Sequence, residues 1–412
     1  MAYLDADVVR VYPFTRQPEG DEVVIGRPET GVFLALPAEA VELLDRLAEG
    51  RSVGQVEAEY ERLHGLRPDL SELLAILEAK GLVGKAAEPG GGSTAVSGPG
   101  TPGTPKLIRY HFANIPQSVA QTFFGPVALS LYFGTVALAI LALIRQPHLI
   151  PTPNSLYFKD DKTLKIVLVA LVSYGSLFIH EFGHLLAARA VGVKSRFGIS
   201  HRLWLLVAET DLTGLWAFPK RQRYLPMLAG PITDAFSSAL IILLLFARSR
   251  GAIAFSSDLA EIARAALFLY FFRIYFQFFF FVRTDFYYVL TNFFGCKNLM
   301  GDTEVFVRNL FRRLTGQAPK RDQSYIPPRE RRVIAAYSVL WLAGRGLALA
   351  SLVLVTLPIL FRYLASAWQT LHAGGGQTLY RAADSLLVGA MNLLPLAIGL
   401  GLWVRSLTRR TA

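Results

Sequence analysis

Six stretches of the chain are long and apolar enough to cross a bilayer, and they limit the fold more than any other feature. Their predicted bounds are residues 120–144, 165–192, 225–247, 262–283, 334–361 and 384–405. About 20 apolar helical residues span the roughly 30 Å of membrane hydrocarbon. The composition agrees, since 52% of the 412 residues are hydrophobic and the mean hydropathy is +0.37. The sequence therefore predicts an α-helical polytopic membrane protein with about six transmembrane helices.

The positive charge of the chain follows these predicted spans. The net charge is +11, which in a soluble protein would suggest binding to nucleic acid. Here Lys and Arg concentrate in the loops at residues 193–223 and 284–333 and in the tail from residue 405, whereas the loop at 145–164 is nearly balanced. Basic loops stay on the cytoplasmic side, and the N-terminus lacks the pattern of a signal peptide. We therefore expect a lipid bilayer rather than nucleic acid as the partner, with both termini in the cytoplasm.

The first 86 residues are polar enough to form a small soluble domain. Short strands are predicted at residues 8–11, 22–26 and 31–36. Three helices follow, with predicted starts at Pro37, at Ser52 and at Asp69 or Ser71. This order predicts an α+β winged-helix domain at residues 1–86. Residues 87–117 form a flexible linker and approach to the membrane, since a segment rich in Gly, Ser, Thr and Pro cannot bury a core, and residues 118–412 form the membrane domain.

Parts of this first domain match a known peptide-binding element. They are residues 31–36 (GVFLAL), the helix at 38–48 with Gly50 after it, the helix start at Ser52, and residues 77–83 (LEAKGLV). The pattern resembles the PqqD-like recognition element of systems that modify ribosomally made peptides. The resemblance implies that a leader peptide adds as a strand to an exposed sheet edge, between residues 23–25 and the helix carrying Leu73 and Leu77. The alternative is an accessory domain that binds no extended peptide.

The second apolar stretch contains the sequence HEFGH at residues 180–184. Positions i and i+4 share one face of a helix, so His180 and His184 can bind one zinc ion. Glu181 can take a proton from a metal-bound water and return it to a leaving amine. Ionisable groups are costly in a membrane, and by default they indicate a functional site. The alternative is a polar helix seam in which neighbouring groups satisfy these side chains.

A catalytic zinc ion usually has three protein ligands and one open position. The only cysteine, Cys296, excludes a cysteine cluster. His111 and His201 lie on the expected side of the membrane but in polar sequence, where a solvated histidine is the simpler interpretation. Asp285 is the better candidate, because it ends the fourth predicted span at the depth of the histidine pair. A set of two histidines, one aspartate and a water molecule suits zinc.

Three segments now indicate a family. They are residues 180–189 (HEFGHLLAAR), the pair Gly230-Pro231 with Asp234, and residues 283–288 (RTDFYY). They resemble the zinc helix, the Gly-Pro-x-x-Asn element and the Asp-Gly-Tyr-Tyr motif of the site-2 protease family of intramembrane zinc metalloproteases. The match covers roughly residues 165–300. The sequence departs from the family at Phe286, where glycine is usual, at Asp234, which replaces asparagine, and at Gln277, which lies where an Asn-x-x-Pro element is expected.

The resemblance implies a zinc metalloendopeptidase of a prokaryotic cytoplasmic membrane. Zn²⁺ would be bound by His180, His184 and Asp285, and Glu181 would be the general base. The substrate would be a peptide or a membrane protein, and maturation of a ribosomally made peptide is the leading expectation. Two alternatives are regulated cleavage of a transcription inhibitor and a non-enzymatic immunity or export role.

Two further features are open at this stage. Arg273 and Arg345 lie within predicted spans. They form either interhelical pairs or bonds to backbone carbonyl groups, or they have an electrostatic role toward the substrate or the zinc ligands. Residues 207–216 show weak strand alternation. The resemblance implies that this region forms an edge that pairs with an extended substrate, and the alternative is a re-entrant or surface loop.

Overall fold

The computed structural model describes two compact units. The described residues are 3–85, 112, 114–156, 162–202, 205–296, 298–319, 322–324 and 326–357, with scattered positions between 361 and 405. Most of the predicted linker and most of the sixth predicted span fall outside this set. The first unit comprises Met1–Asn114, Val193–Arg196 and Asp211–Arg223, and the second comprises Ile115–Gly192, Phe197–Thr210 and Tyr224–Ala412.

The first unit contains two small antiparallel sheets. One pairs β1 with β5, and the other has the order β2-β3-β4. The strands are β1 (Val9–Val11), β2 (Thr15–Glu19), β3 (Glu22–Arg27), β4 (Val32–Pro37) and β5 (Val83–Lys85). The β2–β3 hairpin turns through two residues, Gly20 and Asp21, and Gly20 has a φ of +66°. A positive φ at the first central residue is typical of the type II′ turn, which fits the twist of paired strands.

Helices α1 (Ala38–Ala48), α2 (Val53–His64) and α3 (Leu70–Ala79) cover one face of this region. Ser52 and Gln55 form a capping box at the start of α2, and the Asp69 side chain accepts from two N–H groups at the start of α3. Such caps satisfy the N–H groups that have no partner inside the helix. The three predicted strands are present within a small α+β region with three helices, whereas β2 and β5 were not predicted.

The predicted docking edge at residues 23–25 is wrong. These residues lie in β3, which pairs with β2 on one side and with β4 on the other. The two-residue hairpin makes Glu19 and Glu22 a hydrogen-bonded pair. Hydrogen-bonding direction alternates along a strand, so Val23 and Ile25 direct their main-chain groups toward β4. Their partners in β4 point back toward β3, and the residues between those partners, Phe33 and Ala35, direct their main-chain groups away from β3. Among the described strands, the open edges of this sheet are therefore the outer edge of β4 and the outer edge of β2.

Both faces of the three-stranded sheet are covered. Val24 and Ile25 point to opposite faces, yet they are 4% and 0% exposed. Ile25 packs against the helices. The segment Asp211–Arg223, which belongs to the same unit and includes the 3₁₀ turn Thr213–Ala217, packs on the sheet as well. This segment returns from the membrane part of the chain, so the first unit is larger than the predicted domain at residues 1–86.

A buried ion pair ties this segment to β2. The Arg223 side chain is fully buried and pairs with Glu19, whose side chain is 6% exposed. Arg223 also stacks over the Trp216 ring and donates to the carbonyl oxygen of Phe218 at 2.8 Å. Breaking a buried pair leaves a charge without compensation, which makes such pairs sensitive to the loss of one partner.

We predict that Glu19→Ala loosens the first unit, because Arg223 then stays buried without its carboxylate. The expected loss is about 3–5 kcal/mol, so amide exchange in β2 and β3 should accelerate about a hundred-fold or more. Hydrogen–deuterium exchange on the full chain measures this. Arg16→Ala is the control, since the exposed Arg16–Asp45 pair contributes about 0–1 kcal/mol. Equal exchange in the two variants would contradict the prediction.

The second unit is built from helices and one hairpin. The helices are α4 (Gln117–Phe124), α5 (Pro126–Arg145), α6 (Lys162–Ala190), α7 (Lys220–Ser249), α8 (Ser257–Phe276), α9 (Asp285–Phe294), α10 (Leu299–Leu314) and α11 (Pro328–Ser351). The hairpin pairs β6 (Arg196–Arg202) with β7 (Leu205–Asp211). Within the described residues, four helical segments are long and apolar enough to cross a membrane: Gln117–Arg145, Val167–Ala190, Lys220–Ser249 and Pro328–Leu354. They correspond to the first, second, third and fifth of the six predicted spans.

The fourth predicted span, at residues 262–283, is not a continuous helix. Helix α8 ends at Phe276, and residues 277–284 form a turn before α9. Helix α8 carries Glu261, Arg264 and Arg273, and it is not among the four candidate spans. The prediction of six spans therefore reduces to four among the described residues.

The start of α4 lies beside the end of α6. Gln117 and Gln121 donate to the Ala190 carbonyl oxygen at 2.9 and 3.2 Å, and Arg189 donates to the Ile115 carbonyl oxygen at 2.7 Å. These bonds satisfy one of the carbonyl groups that a helix end leaves without a partner. The first two candidate spans therefore bring the chain back to the side from which it started.

Cys296 is a packing residue. Its side chain is 1% exposed and belongs to a cluster with Leu299, Ile334 and Tyr337. Burial raises the pKa of the Cys296 thiol to about 12. A thiol with so little thiolate at neutral pH is a poor nucleophile, in keeping with its place in the packed cluster.

Candidate metal centre

Both histidines of the candidate centre lie on α6, and α7 supplies a hydrogen-bond partner for each ring. His180 and His184 are 3% and 2% exposed. The Nδ1 atom of His180 donates to Asp234 Oδ2 at 2.8 Å, and the Nδ1 atom of His184 donates to the Pro226 carbonyl oxygen at 2.7 Å. Since a neutral imidazole has one N–H, both Nε2 atoms are left as acceptors.

Close packing of these helices depends on Gly183. A Cβ atom at this position would lie 2.6 Å from Thr233 Oγ1 and 3.3 Å from the Ala229 carbonyl oxygen in α7. Pro226 and Pro231 lie inside α7, where each removes one helical N–H donor. Because Gly183, which lies between His180 and His184, has no side chain, α7 can pack closely against the face of α6 that carries the histidines.

Asp285 is the first residue of α9 and reaches the histidines from another part of the unit. Thr284 caps the helix by accepting from Tyr287 N–H at 3.3 Å. Gln277, at the end of α8, holds Asp285 twice: its Nε2 atom donates to Asp285 Oδ2 at 2.8 Å, and its Oε1 atom accepts from Asp285 N–H at 3.0 Å. The turn between α8 and α9 thus fixes both the main chain and the carboxylate of Asp285.

Three acceptors face one another at this point. The Nε2 atom of His180 lies 3.2 Å from Asp285 Oδ2, that of His184 lies 3.3 Å from Asp285 Oδ1, and the two Nε2 atoms are 3.3 Å apart. With both Nδ1 hydrogens already donated, a cation between these atoms would turn mutual repulsion into attraction. His180, His184 and Asp285 form a possible metal-binding group.

The spacing and the surroundings of the three donors fit a small divalent ion. A tetrahedral zinc site with bonds of about 2.0–2.1 Å has ligand–ligand distances of about 3.3–3.4 Å, close to those observed. Gly230 faces the same space, and a Cβ atom there would overlap both Nε2 atoms. The Asp285 side chain is 23% exposed, so the group can be reached from the side of this carboxylate.

Glu181 lies next to the first ligand on α6 and is 7% exposed. The Thr210 hydroxyl lies 2.8 Å from Glu181 Oε2 and 2.9 Å from the Glu181 carbonyl oxygen. Thr210 belongs to β7, so the hairpin holds one carboxylate oxygen of Glu181 in place. The segment at residues 207–216, left open by the sequence, thus begins in strand β7, which ends at Asp211, and continues into the 3₁₀ turn Thr213–Ala217.

Asp234 connects the centre to a second charged group. It is fully buried and accepts from Arg273 Nε at 2.7 Å and from Arg273 Nη2 at 2.5 Å. The interhelical pair expected as one interpretation of Arg273 is therefore present. Neither the bond from His180 to Asp234 nor the double contact of Gln277 was predicted. The available signal was their polarity inside apolar helices.

The remaining predictions have mixed outcomes. The structure brings together His180, His184 and Asp285, with Glu181 beside them. His111 and the side chain of His201, the alternative third ligands, lie outside the described residues. Arg345 stacks over the Trp341 ring at 4.4 Å. Phe286 packs edge-on against Phe278 and does not displace Asp285.

Comparisons with known protein families, with curated proteins and with solved structures find no match to this chain.

We predict that Gly230→Ala abolishes metal binding, because the added methyl group would occupy the space between the two Nε2 atoms. Metal analysis of the purified protein after loading with zinc measures this. Gly175→Ala is the matched control, since it lies on α6 where a Cβ atom meets nothing within 4 Å. Equal metal content in the two variants would contradict the assignment of this space to a metal ion.

Proposed function

We propose that the protein is an integral-membrane zinc metalloendopeptidase that cleaves a peptide bond within or next to the membrane. The observation that carries the proposal is the group of three buried or half-buried donors beside a glutamate. His180, His184 and the glutamate lie on α6, a helix apolar enough to span a bilayer. Two imidazoles and one carboxylate suit zinc, and three protein ligands leave a position for water. The sequence resemblance to site-2 proteases gives the same roles to the same residues.

In this mechanism the side chains of the chain have separate tasks. A bound zinc ion would make a water ligand acidic and polarise the substrate carbonyl. Glu181 would accept the proton of the water and donate it to the leaving amine. Thr210 would hold Glu181 Oε2 and leave Oε1 free for this transfer. Gln277 would keep Asp285 directed at the histidines.

The first unit is proposed to recruit the substrate, most simply the leader part of a ribosomally made peptide. The support is an open edge at β4 beside a small helical layer, which suits pairing with an extended peptide. The other edge is poorer, because Pro18 lies in β2 at a position directed away from β3 and has no N–H to offer. The proposed groove thus follows β4 rather than residues 23–25.

Glu181→Gln should abolish cleavage and keep the metal. Loss of a general base lowers the rate about 10²–10⁴-fold, whereas the three ligands stay in place. Membrane fractions of cells that make the parent protein or the variant can be compared by mass spectrometry of new peptide termini, which identifies the cut bond in whichever protein is the substrate. His180→Ala should lose both zinc and cleavage. A Glu181→Gln protein with full cleavage rate would reject the mechanism, and full zinc content with no cleavage in the parent would favour a non-enzymatic role.

Ala35→Pro should weaken peptide binding at least about ten-fold, because it removes a main-chain donor from the open edge of β4. The probe is a fluorescent peptide copied from the N-terminal part of the substrate that the comparison of new peptide termini identifies, and anisotropy measures its binding to the full chain. Arg16→Pro is the matched control, since it removes the corresponding donor from the outer edge of β2. Equal loss in both variants would contradict docking at β4.

A further inference from the structure

A charged pair that binds no metal lies directly behind His180. Asp234 on α7 accepts from His180 Nδ1 and from two nitrogen atoms of Arg273 on α8. Arg273 Nη1 also donates to Ser176 Oγ at 3.1 Å, one turn before His180 on α6. Three helices therefore meet at one carboxylate that is fully buried.

The two ligand histidines differ in how their rings are held. His184 donates to a main-chain carbonyl oxygen, that of Pro226, which no side-chain substitution removes. His180 donates to a carboxylate, and a carboxylate on a metal-bound histidine fixes the ring and the tautomer. A buried carboxylate alone would be costly. The parallel bonds from Arg273 supply the opposite charge in a planar arrangement that matches a carboxylate.

We propose that Asp234 and Arg273 act as one positioning pair, in which Arg273 holds the Asp234 carboxylate so that it keeps His180 Nε2 directed at the metal. Among the described residues, the side chain of Arg273 donates hydrogen bonds to Asp234 and Ser176, so it acts on the ligand through Asp234. Because the pair has no net charge, it orients His180 much as the neutral carbonyl group of Pro226 orients His184. This inference rests on the proposed zinc site and assigns to that site two residues that bind no metal.

The geometry separates this role from a purely structural one. A structural ion pair would stabilise the helices equally with and without metal. A positioning pair changes the affinity for the metal, because it sets the direction of a ligand nitrogen. The bond from His180 Nδ1 shares the Oδ2 atom with Arg273 Nε, so a shift of the guanidinium moves the acceptor of His180 directly.

The test measures zinc affinity by chelator competition, together with thermal unfolding of the metal-free protein. Asp234→Ala and Arg273→Met should each weaken zinc binding about 10–100-fold. Arg273→Lys should recover only part of the affinity, because an ammonium group cannot make two parallel bonds. Visible spectra of the cobalt-substituted proteins should change in the same order, since they report the ligand geometry.

The double variant Asp234→Asn/Arg273→Met guards against simple misfolding. It removes both charges but keeps an amide oxygen that can accept from His180, so it should unfold at a higher temperature than Arg273→Met and bind zinc more tightly. Ser238→Ala is the control: its hydroxyl donates to the Asp234 main-chain carbonyl oxygen at 2.8 Å and leaves the carboxylate untouched.

The outcomes are distinguishable. If Asp234→Ala and Arg273→Met bind zinc as tightly as the parent and lose only thermal stability, the positioning role is overturned and the zinc site stays in place. A parent protein that binds no zinc would remove the proposed function itself. The positioning pair predicts three results. Zinc affinity falls in both single variants, it recovers in part in the double variant, and it is unchanged in Ser238→Ala.

Discussion

Three hydrogen-bond acceptors that point at one another are the feature on which the helical unit depends. The Nε2 atoms of His180 and His184 and the carboxylate of Asp285 lie 3.2–3.3 Å apart. When both imidazoles are neutral, no hydrogen is left for these three acceptors, because the Nδ1 hydrogens are donated to Asp234 and Pro226. Such an arrangement is unfavourable in a low-dielectric interior without a cation. The surrounding contacts can be understood as the means of holding these acceptors in place for a metal ion.

Those contacts come from neighbouring turns and helices rather than from one local motif. Helix α7 supplies Asp234 and the carbonyl oxygen of Pro226, and Gly230 keeps the space between the histidines open. Gln277 at the end of α8 fixes Asp285 through both ends of its amide. Each of the three candidate ligands thus has a hydrogen-bond partner behind it, as is usual for the ligands of a metal site.

The first unit shows how a small sheet can be completed by a distant segment. Consecutive residues of β3, Val24 and Ile25, point to opposite faces and are both buried. One face is covered by the three helices, and the segment Asp211–Arg223 packs on the same sheet and is held by the pair of Arg223 with Glu19. A sheet of three short strands gains stability from packing on other elements. The peptide-binding role proposed for its β4 edge therefore concerns a unit assembled from separate parts of the sequence.

Local patterns in the sequence determined the apolar helices, the strands β3 and β4, and the shared face of His180 and His184, because these depend only on helix and strand periodicity. Chemistry together with family resemblance selected Asp285, 101 positions after His184, and the structure brings the two together. Tertiary structure alone decided the rest: the central position of β3, the end of α8 at Phe276, and the contacts of Asp234, Arg273 and Gln277. These features depend on strand order and on how each helix is rotated toward its neighbours. Side-chain packing over long sequence separations sets both, and no local pattern encodes them.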